Sequence, residues 1–289
     1  MTSTAAEPIS MLACLGDLVE DVIVRLAGSV NVASDTHARI SRRRGGSAAN
    51  TAVRAATLGH HARFLGQVGT DAIGTALLAE LAAEGVDTTM VRRGGSTGTI
   101  VALVDHHGER TMLTDRRCCL DLDEPDPSWL DGVGVVHVPF YSLATGPIAA
   151  TATTVIAWAN ERGIAVSIDL SSTAILAEVG IDEVLRRLER AAPAVVFANE
   201  DEAAALDICG PVVGALTVIK RGPSPALIHC PDGTVIEVDA IAVPGVDDTT
   251  GAGDAFAAGF LTEPGWADDP RAACESGHRA AADLLRQRS

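Results

Sequence analysis

The chain alternates between short apolar runs and longer segments with helical spacing, and this alternation predicts its architecture. The apolar runs are predicted to be buried strands: Met11 to Leu15, Phe64 to Val68, Val133 to Val138, Ala165 to Ile168, Ala194 to Phe197 and Leu216 to Ile219. The longer runs are predicted to be helices: Ser47 to Leu58, Asp71 to Ala83, Ile148 to Glu161, Ile181 to Arg190 and Glu200 to Leu206. Ser47 is predicted to be the N-cap of the first of these helices. Buried strands that alternate with helices predict an α/β fold with a mostly parallel sheet between two layers of helices.

Two further regions have the pattern of β-hairpins. Thr99 to Val104 and Thr111 to Thr114 are joined by the polar turn His106 to Glu109, and Ala226 to Cys230 and Val235 to Val238 flank a Pro-Asp-Gly-Thr turn. Two final helices are predicted to begin near Gly251 and Asp269, after which no further element is expected. No linker divides the chain, so a single domain over residues 1–289 is expected.

Composition narrows the function classes. The formal net charge of −16 argues against a partner that is bound through phosphate or membrane-surface charge, so neither nucleic acid nor membrane is expected. No apolar run reaches the length of a bilayer span, and a cytoplasmic protein is expected. Lys220 is the only lysine, which excludes a Walker-type Gly-Lys-Ser/Thr loop. Any phosphate site must therefore use backbone amides, arginines or a metal ion.

The most informative segment is the turn from Asp248 to Asp254, which precedes an apolar helical run. Its glycines and threonines close a turn whose backbone amides point outward at a helix N-terminus, and such amides bind anions. A carboxylate at the mouth of that site suits a base that takes a proton from a hydroxyl. The amides of Gly251, Ala252 and Gly253 would then hold the arriving phosphoryl group. The same residues also fit a plain N-capped helix after a glycine turn.

Four motifs in order resemble those of one family. Asp248 to Asp254 matches D-T-x-G-A-G-D, and Gly45 to Asn50 has a Gly-Gly pair followed four residues later by Asn. Asn199 to Glu202 is similar to an N-x-x-E element, and Gly16-Asp17 ends the first predicted strand. In these motifs the chain resembles the ribokinase-like (PfkB) carbohydrate kinases over nearly its whole length.

The resemblance implies an ATP-dependent enzyme that phosphorylates a hydroxyl of a sugar or sugar acid. Asp254 would be the general base, and the amides of Gly251, Ala252 and Gly253 would form the anion hole. The family's substrate-binding positions correspond here to Asp17, Gly45, Gly46 and Asn50. The family's nucleotide-binding positions correspond to Lys220, Gly222 and Thr250.

The resemblance also implies metal ions. Asn199 and Glu202 resemble the pair that arranges Mg²⁺, largely through water, beside the phosphates, and Mg²⁺ prefers oxygen ligands and retained waters. Asn199 equally suits an N-cap of the helix that follows it. Asp248 and its loop are the position where some family members hold a monovalent cation such as K⁺.

The resemblance further implies a small β lid formed by residues of about 19–44 and 99–115. If lid strands pair between subunits, a homodimer would cover the exposed sheet edges. In the first lid segment, alternate strand residues share a face, so Arg42 and Arg44 are expected to point together into the pocket, and Arg110 on the second segment could also reach inward. These arginines would suit an acidic sugar, but a solvated basic edge of the lid is the preferred interpretation.

Two other functions stay open. A nucleoside kinase of the same fold would need aromatic residues that stack on a base, and aromatic residues make up only 3% of the chain. A non-catalytic regulator that binds a sugar or nucleotide is the other alternative. The intact Asp254 turn argues against a regulator, whereas the loop at Pro223 to Ala226 lacks the second glycine of the family's nucleotide loop.

Overall fold

A computed structural model describes residues 11–105, 107–246 and 248–288. His106 of the predicted hairpin turn, residues 1–10, residue 247 and residue 289 lie outside the described residues. The strands in the described part are β1 (Leu12–Leu15), β2 (Val19–Leu26), β3 (Ala38–Gly45), β4 (Ala62–Leu65), β5 (Gln67–Val68), β6 (Arg92–Arg93), β7 (Thr99–Val104), β8 (Arg110–Asp115), β9 (Val135–Pro139), β10 (Ala165–Asp169), β11 (Val195–Asn199), β12 (Leu216–Lys220), β13 (Ala226–His229) and β14 (Val235–Val238).

The helices in the same ranges are α1 (Ser47–Thr57), α2 (Ala72–Ala83), α3 (Tyr141–Ala144), α4 (Pro147–Glu161), α5 (Thr173–Val179), α6 (Ile181–Ala191), α7 (Glu200–Ala205), α8 (Ala252–Thr262) and α9 (Pro270–Arg286). Short 3₁₀ helices span Arg117–Asp121, Pro127–Leu130 and Val212–Gly214. Among the described residues, no helix is both long enough and apolar enough to span a membrane.

A large sheet with the strand order β14-β13-β12-β11-β10-β9-β1-β4 forms the centre of the fold. The strands from β12 to β4 in this order are parallel, and β13 and β14 add an antiparallel hairpin at one edge. The mostly parallel sheet predicted from the sequence is therefore confirmed. From β1 the chain first runs to β4 on one side and later to β9 on the other, so the strand order reverses at β1. A crevice at the carboxyl ends of the strands is expected at such a reversal.

Both faces of the sheet are buried. In β1, Ala13 and Leu15 belong to one hydrophobic core, whereas Leu12 and Cys14 belong to the other, as the two-residue side-chain period of a strand requires. Helices α4 and α6 pack on the first face, and helices α1, α8 and α9 pack on the second. Helices α1 and α8 are thereby neighbours, which places their N-terminal turns near the same rim of the sheet.

The two predicted lid segments form a separate four-stranded sheet with the order β3-β2-β7-β8. Strands β7 and β8 pair antiparallel, which agrees with the predicted hairpin, and β2 pairs parallel with β7. Strand β8 is exposed along its whole length. We call this four-stranded sheet the β lid.

Two local predictions were wrong. The predicted strand from Phe64 to Val68 is two strands, β4 and β5, that are interrupted at Gly66. A Cβ atom on Gly66 would lie 2.5 Å from the carbonyl oxygen of Gly16, so the backbone approaches too closely for any side chain. Ser47 is not the N-cap of α1, because Gly46 takes that position and the Ser47 hydroxyl is used elsewhere.

Candidate active site

Asp254 lies in the first turn of α8 and is held by two side chains of α1. The Ser47 hydroxyl donates to its Oδ1 over 2.6 Å, and the Asn50 side-chain amide donates to its Oδ2 over 3.0 Å. Burial raises the pKa of Asp254 to about 6, although the bonds from Ser47 and Asn50 oppose that shift. The result is a partly desolvated carboxylate that is ionised at neutral pH and has a proton affinity suited to a general base.

The Gly-Gly pair brings the start of α1 against the first strand. A Cβ atom on Gly46 would lie 2.1 Å from the carbonyl oxygen of Asp17, and Gly46 has a φ of 102°, which side chains rarely permit. A Cβ atom on Gly45 would lie 2.1 Å from Oδ1 of Asp21. At Gly46 the contact is with the backbone, so only glycine allows this close approach, which sets Asn50 and Asp17 at the same rim.

Asp17 follows β1 and forms an ion pair that sequence reasoning missed. Arg116 donates from Nε to one oxygen of Asp17 over 2.6 Å and from Nη2 to the other over 2.8 Å. The remaining Nη1 donates to the carbonyl of Tyr141, and the guanidinium lies 5.8 Å from the centre of the Tyr141 ring. Both charged side chains are almost buried. A planar, two-point pair of this kind fixes the Asp17 carboxylate in one orientation.

Asp248 joins the β lid to the Asp254 turn. Arg43 of β3 donates to its Oδ2 over 2.8 Å, and Arg110 of β8 donates to its Oδ1 over 2.9 Å. Arg110 also donates to the Thr250 hydroxyl over 2.7 Å. Although burial opposes it, the hydrogen bonds from Thr250 and Arg43 hold the pKa of Asp248 well below its usual range. Asp248 is therefore an ionised partner at neutral pH for arginines from the two edge strands of the β lid.

Lys220 ends β12 and points toward the Asp254 turn. Its ammonium bonds to Oδ2 of Asp169, at the end of β10, over 2.5 Å. A Cβ atom on Gly253 would lie 3.2 Å from Nζ of Lys220, so the lysine borders the predicted anion hole. Burial lowers the pKa of Lys220, but the charge and hydrogen bond of Asp169 outweigh it and the net shift is upward. Asp169 was not predicted, because only its place after a buried strand distinguishes it in the sequence.

Asn199 and Glu202 form the capping box of α7. The Asn199 side chain accepts from the Glu202 amide, and the two Glu202 oxygens accept from the Asn199 backbone and side-chain amides. Burial, followed by the charge of Asp169, raises the pKa of Glu202 to about 7. The predicted N-cap role of Asn199 is confirmed.

Oxygen donors suited to Mg²⁺ are present at this edge in Asp169, Asn199 and Glu202, but the described residues contain no cluster of three or more side chains arranged to hold a metal ion. Both Glu202 oxygens already accept hydrogen bonds from Asn199. This arrangement fits a metal that is carried mainly by phosphates and water rather than by a protein cage.

The predicted anion hole lies at the start of α8. Gly251 is its N-cap with a φ of 77°, and a helix that begins at Ala252 leaves its first-turn amides without acceptors inside the helix. The Ala252 amide instead donates to the carbonyl of Thr249 over 3.1 Å.

Farther along the rim, Gly222 follows β12 in a tight turn with a φ of 55°.

The structure brings most predicted site residues to one rim but leaves Arg42 outside it. Arg42 pairs with Glu20 on the β lid and is largely exposed, whereas Arg44 pairs with Glu80 of α2 and borders the cavity beside Asn50 and Gly251. The expectation that Arg42 and Arg44 point together into the pocket is therefore wrong. Arg43 lies between them on the strand, faces the opposite way and contacts Asp248.

Comparison with known sequences agrees with this geometry. Residues 10–289 match the description "pfkB family carbohydrate kinase". The chain is 34% identical to the ATP-dependent ribose-1-phosphate kinase of Halopiger xanaduensis over 75% of this chain and 72% of that protein. It is 31% identical to the fructokinase of Klebsiella pneumoniae over 86% of this chain and 82% of that protein.

Solved structures show the same fold. An adenosine kinase from Sinorhizobium meliloti superposes with a TM-score of 0.82 at 23% identity and covers 97% of this chain and 95% of its own. A sugar kinase from Pyrococcus horikoshii in complex with ATP superposes with a TM-score of 0.78 at 25% identity and covers 96% of this chain and 93% of its own.

These matches define a carbohydrate kinase of the ribokinase-like fold. The chain belongs to the pfkB family, and it is a sugar or nucleoside kinase of that family. The family resemblance that the four sequence motifs predicted is thereby confirmed.

Proposed function

We propose that this enzyme transfers the γ-phosphoryl group of ATP to a hydroxyl of a sugar or sugar-derived acceptor, with Asp254 as the general base. One observation carries the proposal: Asp254 lies half-buried beside a glycine-rich helix start and is oriented by Ser47 and Asn50. A carboxylate that is held in this way is positioned to accept a proton from a hydroxyl bound at the same rim.

The acceptor side is supplied by Asp17, Asn50 and the backbone at Gly45 and Gly46. Arg116 holds both oxygens of Asp17 from one direction, which leaves their other lone pairs to accept from sugar hydroxyls. Because Arg116 and Asp17 neutralise each other, they favour a polyhydroxy group over an anion at this point of the pocket.

The phosphate side is supplied by the amides of Gly251, Ala252 and Gly253 and by Lys220. As the acceptor oxygen attacks, negative charge on the transferring group is stabilised by amides and cations already in place. The Ala252 amide joins this hole once it leaves the Thr249 carbonyl. Thr250 and Gly222 border the nucleotide in this proposal.

Bound Mg²⁺ would neutralise phosphate charge, and Asn199, Glu202 and Asp169 are the oxygen donors that would hold its water shell. Burial raises the pKa of Glu202 to about 7 in the metal-free protein, and a bound Mg²⁺ would favour the ionised carboxylate that accepts hydrogen bonds from its waters.

The β lid would cover the acceptor. Its edge strands already reach the Asp254 turn through Arg43, Arg110 and Asp248. Arg110 is accordingly proposed to bind the acceptor only after its bond to Asp248 opens. A homodimer through the β lid and a cytoplasmic location stay predictions; light scattering in solution tests the first, and a monomer at working concentration would contradict it.

The proposal is tested by ADP formation with Mg²⁺ and ATP against sugars, sugar acids, sugar phosphates, polyols and nucleosides. Acceptor-dependent ADP with a sugar supports it, and a strict preference for nucleosides replaces it with a nucleoside kinase. Tight binding of an acceptor by calorimetry without any ADP would instead support the non-catalytic regulator.

A further inference from the structure

The turn that precedes Asp254 is surrounded by positively charged side chains. Three guanidinium groups converge on Asp248 and Thr250, those of Arg43, Arg110 and Arg288. Arg43 and Arg110 come from the β lid, whereas Arg288 lies two residues beyond the end of α9. This is the loop where the family resemblance predicts a monovalent cation.

Arg288 contacts the oxygen atoms that this turn could offer to such an ion. Its Nη1 donates to the backbone carbonyl of Thr250 and lies 4.0 Å from Oδ2 of Asp248. A hard monovalent cation is bound by oxygen atoms, and these two oxygens of the turn already face a guanidinium. The other Asp248 oxygen accepts from Arg110 and from the amide and hydroxyl of Thr250.

The local charge also opposes a further cation. Burial lowers the pKa of Arg288, the charges of Arg43 and Arg44 lower it further, and the opposing charges of Asp248 and Asp254 do not reverse the shift. A K⁺ ion at the Thr250 carbonyl would stand beside several like charges in a partly desolvated site, where their repulsion is poorly screened. The residues present therefore do not fit a bound monovalent cation.

We propose that Arg288 takes the place of a monovalent cation at the Asp248–Gly251 turn, so that the enzyme needs no K⁺. The guanidinium donates a hydrogen bond to the Thr250 carbonyl and pairs with the Asp248 carboxylate at 4.0 Å. This fixes the turn whose next residues, Gly251 to Gly253, carry the anion hole. Arg288 is thus a positioning residue, since it acts on the transferred group only through the turn.

The space around Arg288 would let K⁺ take the position of the guanidinium if this side chain were shortened. A cavity of about 220 Å³ lies beside the turn and is bordered by Arg288, Gly251 and Asn50. Shortening Arg288 to glutamine would remove the charge and open the Thr250 carbonyl to that cavity. A K⁺ ion then has both space and oxygen ligands.

The test compares the wild type with Arg288→Gln, with Arg286→Gln as the matched control. Arg286 lies on the last turn of α9, is half exposed and pairs only with Asp283 among the described ion pairs. Each protein is measured with KCl or with tetramethylammonium chloride at equal ionic strength. The two readouts are melting temperature without substrates and ATP-dependent turnover of the best acceptor.

We expect K⁺ to leave the wild type and Arg286→Gln unchanged in both readouts. Without K⁺, Arg288→Gln should lose turnover on the order of tenfold to a hundredfold, as for the loss of one hydrogen bond to a charged group. K⁺ should restore that turnover and raise the melting temperature of this variant alone.

Activation or thermal stabilisation of the wild type by K⁺ would overturn the proposal. An Arg288→Gln protein that keeps full turnover without K⁺, or that K⁺ neither restores nor stabilises, would overturn it as well. The turnover readout rests on the proposed kinase function, but the melting readout needs no acceptor. Failure to find a substrate is therefore distinguishable from failure of this inference, and if Arg288→Gln does not fold, the wild type alone still decides it.

Discussion

The hydroxyl of Ser47 donates to Oδ1 of Asp254 over 2.6 Å, across 207 positions of the sequence. The Gly-Gly motif and the D-T-x-G-A-G-D motif therefore meet directly, because the first starts α1 and the second starts α8. The bond ties the orientation and the basicity of Asp254 to a residue of the acceptor side.

Ser47→Ala should move the acid limb of the pH–rate profile upward. In the wild type, kcat/KM should fall as the pH drops below about 6, where Asp254 takes up a proton. Removing a hydrogen bond to the ionised form raises the pKa further, by about one unit for a charge-assisted bond. Ser41→Ala, on the exposed part of β3, is the control and should leave the profile in place. An unchanged limb in Ser47→Ala would show that this bond does not tune the base.

Asp254→Asn should stabilise the fold at alkaline pH. Burial raises the pKa of Asp254 from its usual value near 3.8 to about 6, so the folded state binds the proton more tightly than the unfolded state. Protonated Asp254 contributes about 1–3 kcal/mol to the free energy of unfolding. This contribution is fully present below pH 3.8 and is lost as the pH rises through 6. Asparagine does not titrate, so the variant should exceed the wild type at pH 8.

Asp248→Asn is the control with the opposite sign. The pKa of Asp248 is lowered in the folded state, so its stabilisation is present above its unfolded pKa and is lost only in acid. Urea denaturation at pH 5 and pH 8 checks both variants. If Asp254→Asn is less stable than the wild type at pH 8, the burial argument for a raised pKa is wrong.

Arg116→Lys should weaken acceptor binding more than it slows the chemistry. Lysine cannot reproduce the two-point contact with Asp17, so the carboxylate loses its fixed orientation. We expect KM for the acceptor to rise on the order of tenfold, the effect of about 1.4 kcal/mol, with KM for ATP unchanged. Arg117→Lys, which is exposed and pairs with Asp115, is the control. An equal rise in both KM values would argue against a role in the acceptor site.

Lys220 offers a probe of the phosphate site, because it is the only lysine in the chain. An amine-reactive ester should label it slowly in the free protein, and Mg²⁺-ATP should protect it, whereas the acceptor alone should not. In Asp169→Asn the raised pKa of Lys220 should fall, so that labelling becomes faster. Peptide mass spectrometry separates Lys220 from the N-terminal amine. Labelling that ATP leaves unchanged would remove Lys220 from the nucleotide site.

The sequence predicted the strands and helices of the central sheet well because their hydrophobic runs are short and clearly bounded. It predicted the motif residues because their spacing is specific. The arginine partners were not predictable, since Arg116, Arg43 and Arg288 meet their acids across long separations that depend on tertiary structure.

The β lid shows what strand alternation in the sequence does not predict. Strand alternation correctly places Arg42 and Arg44 apart from Arg43, but it does not say which set faces inward. That depends on how β3 twists against β2 and α2, where Glu20 and Glu80 hold the outer two arginines. Asp169 was missed for a related reason, because a single acid at a strand end has no distinctive spacing.

The central claim is that Asp254 removes the acceptor proton. It is tested most directly by phosphoryl transfer in a single turnover, with enzyme in excess over ATP and the best acceptor at saturation, in the wild type and in Asp254→Asn. We predict a rate loss on the order of 10²–10⁴-fold in the variant, with ATP affinity by calorimetry unchanged. An Asp254→Asn protein that transfers the phosphoryl group at the wild-type rate would contradict the account.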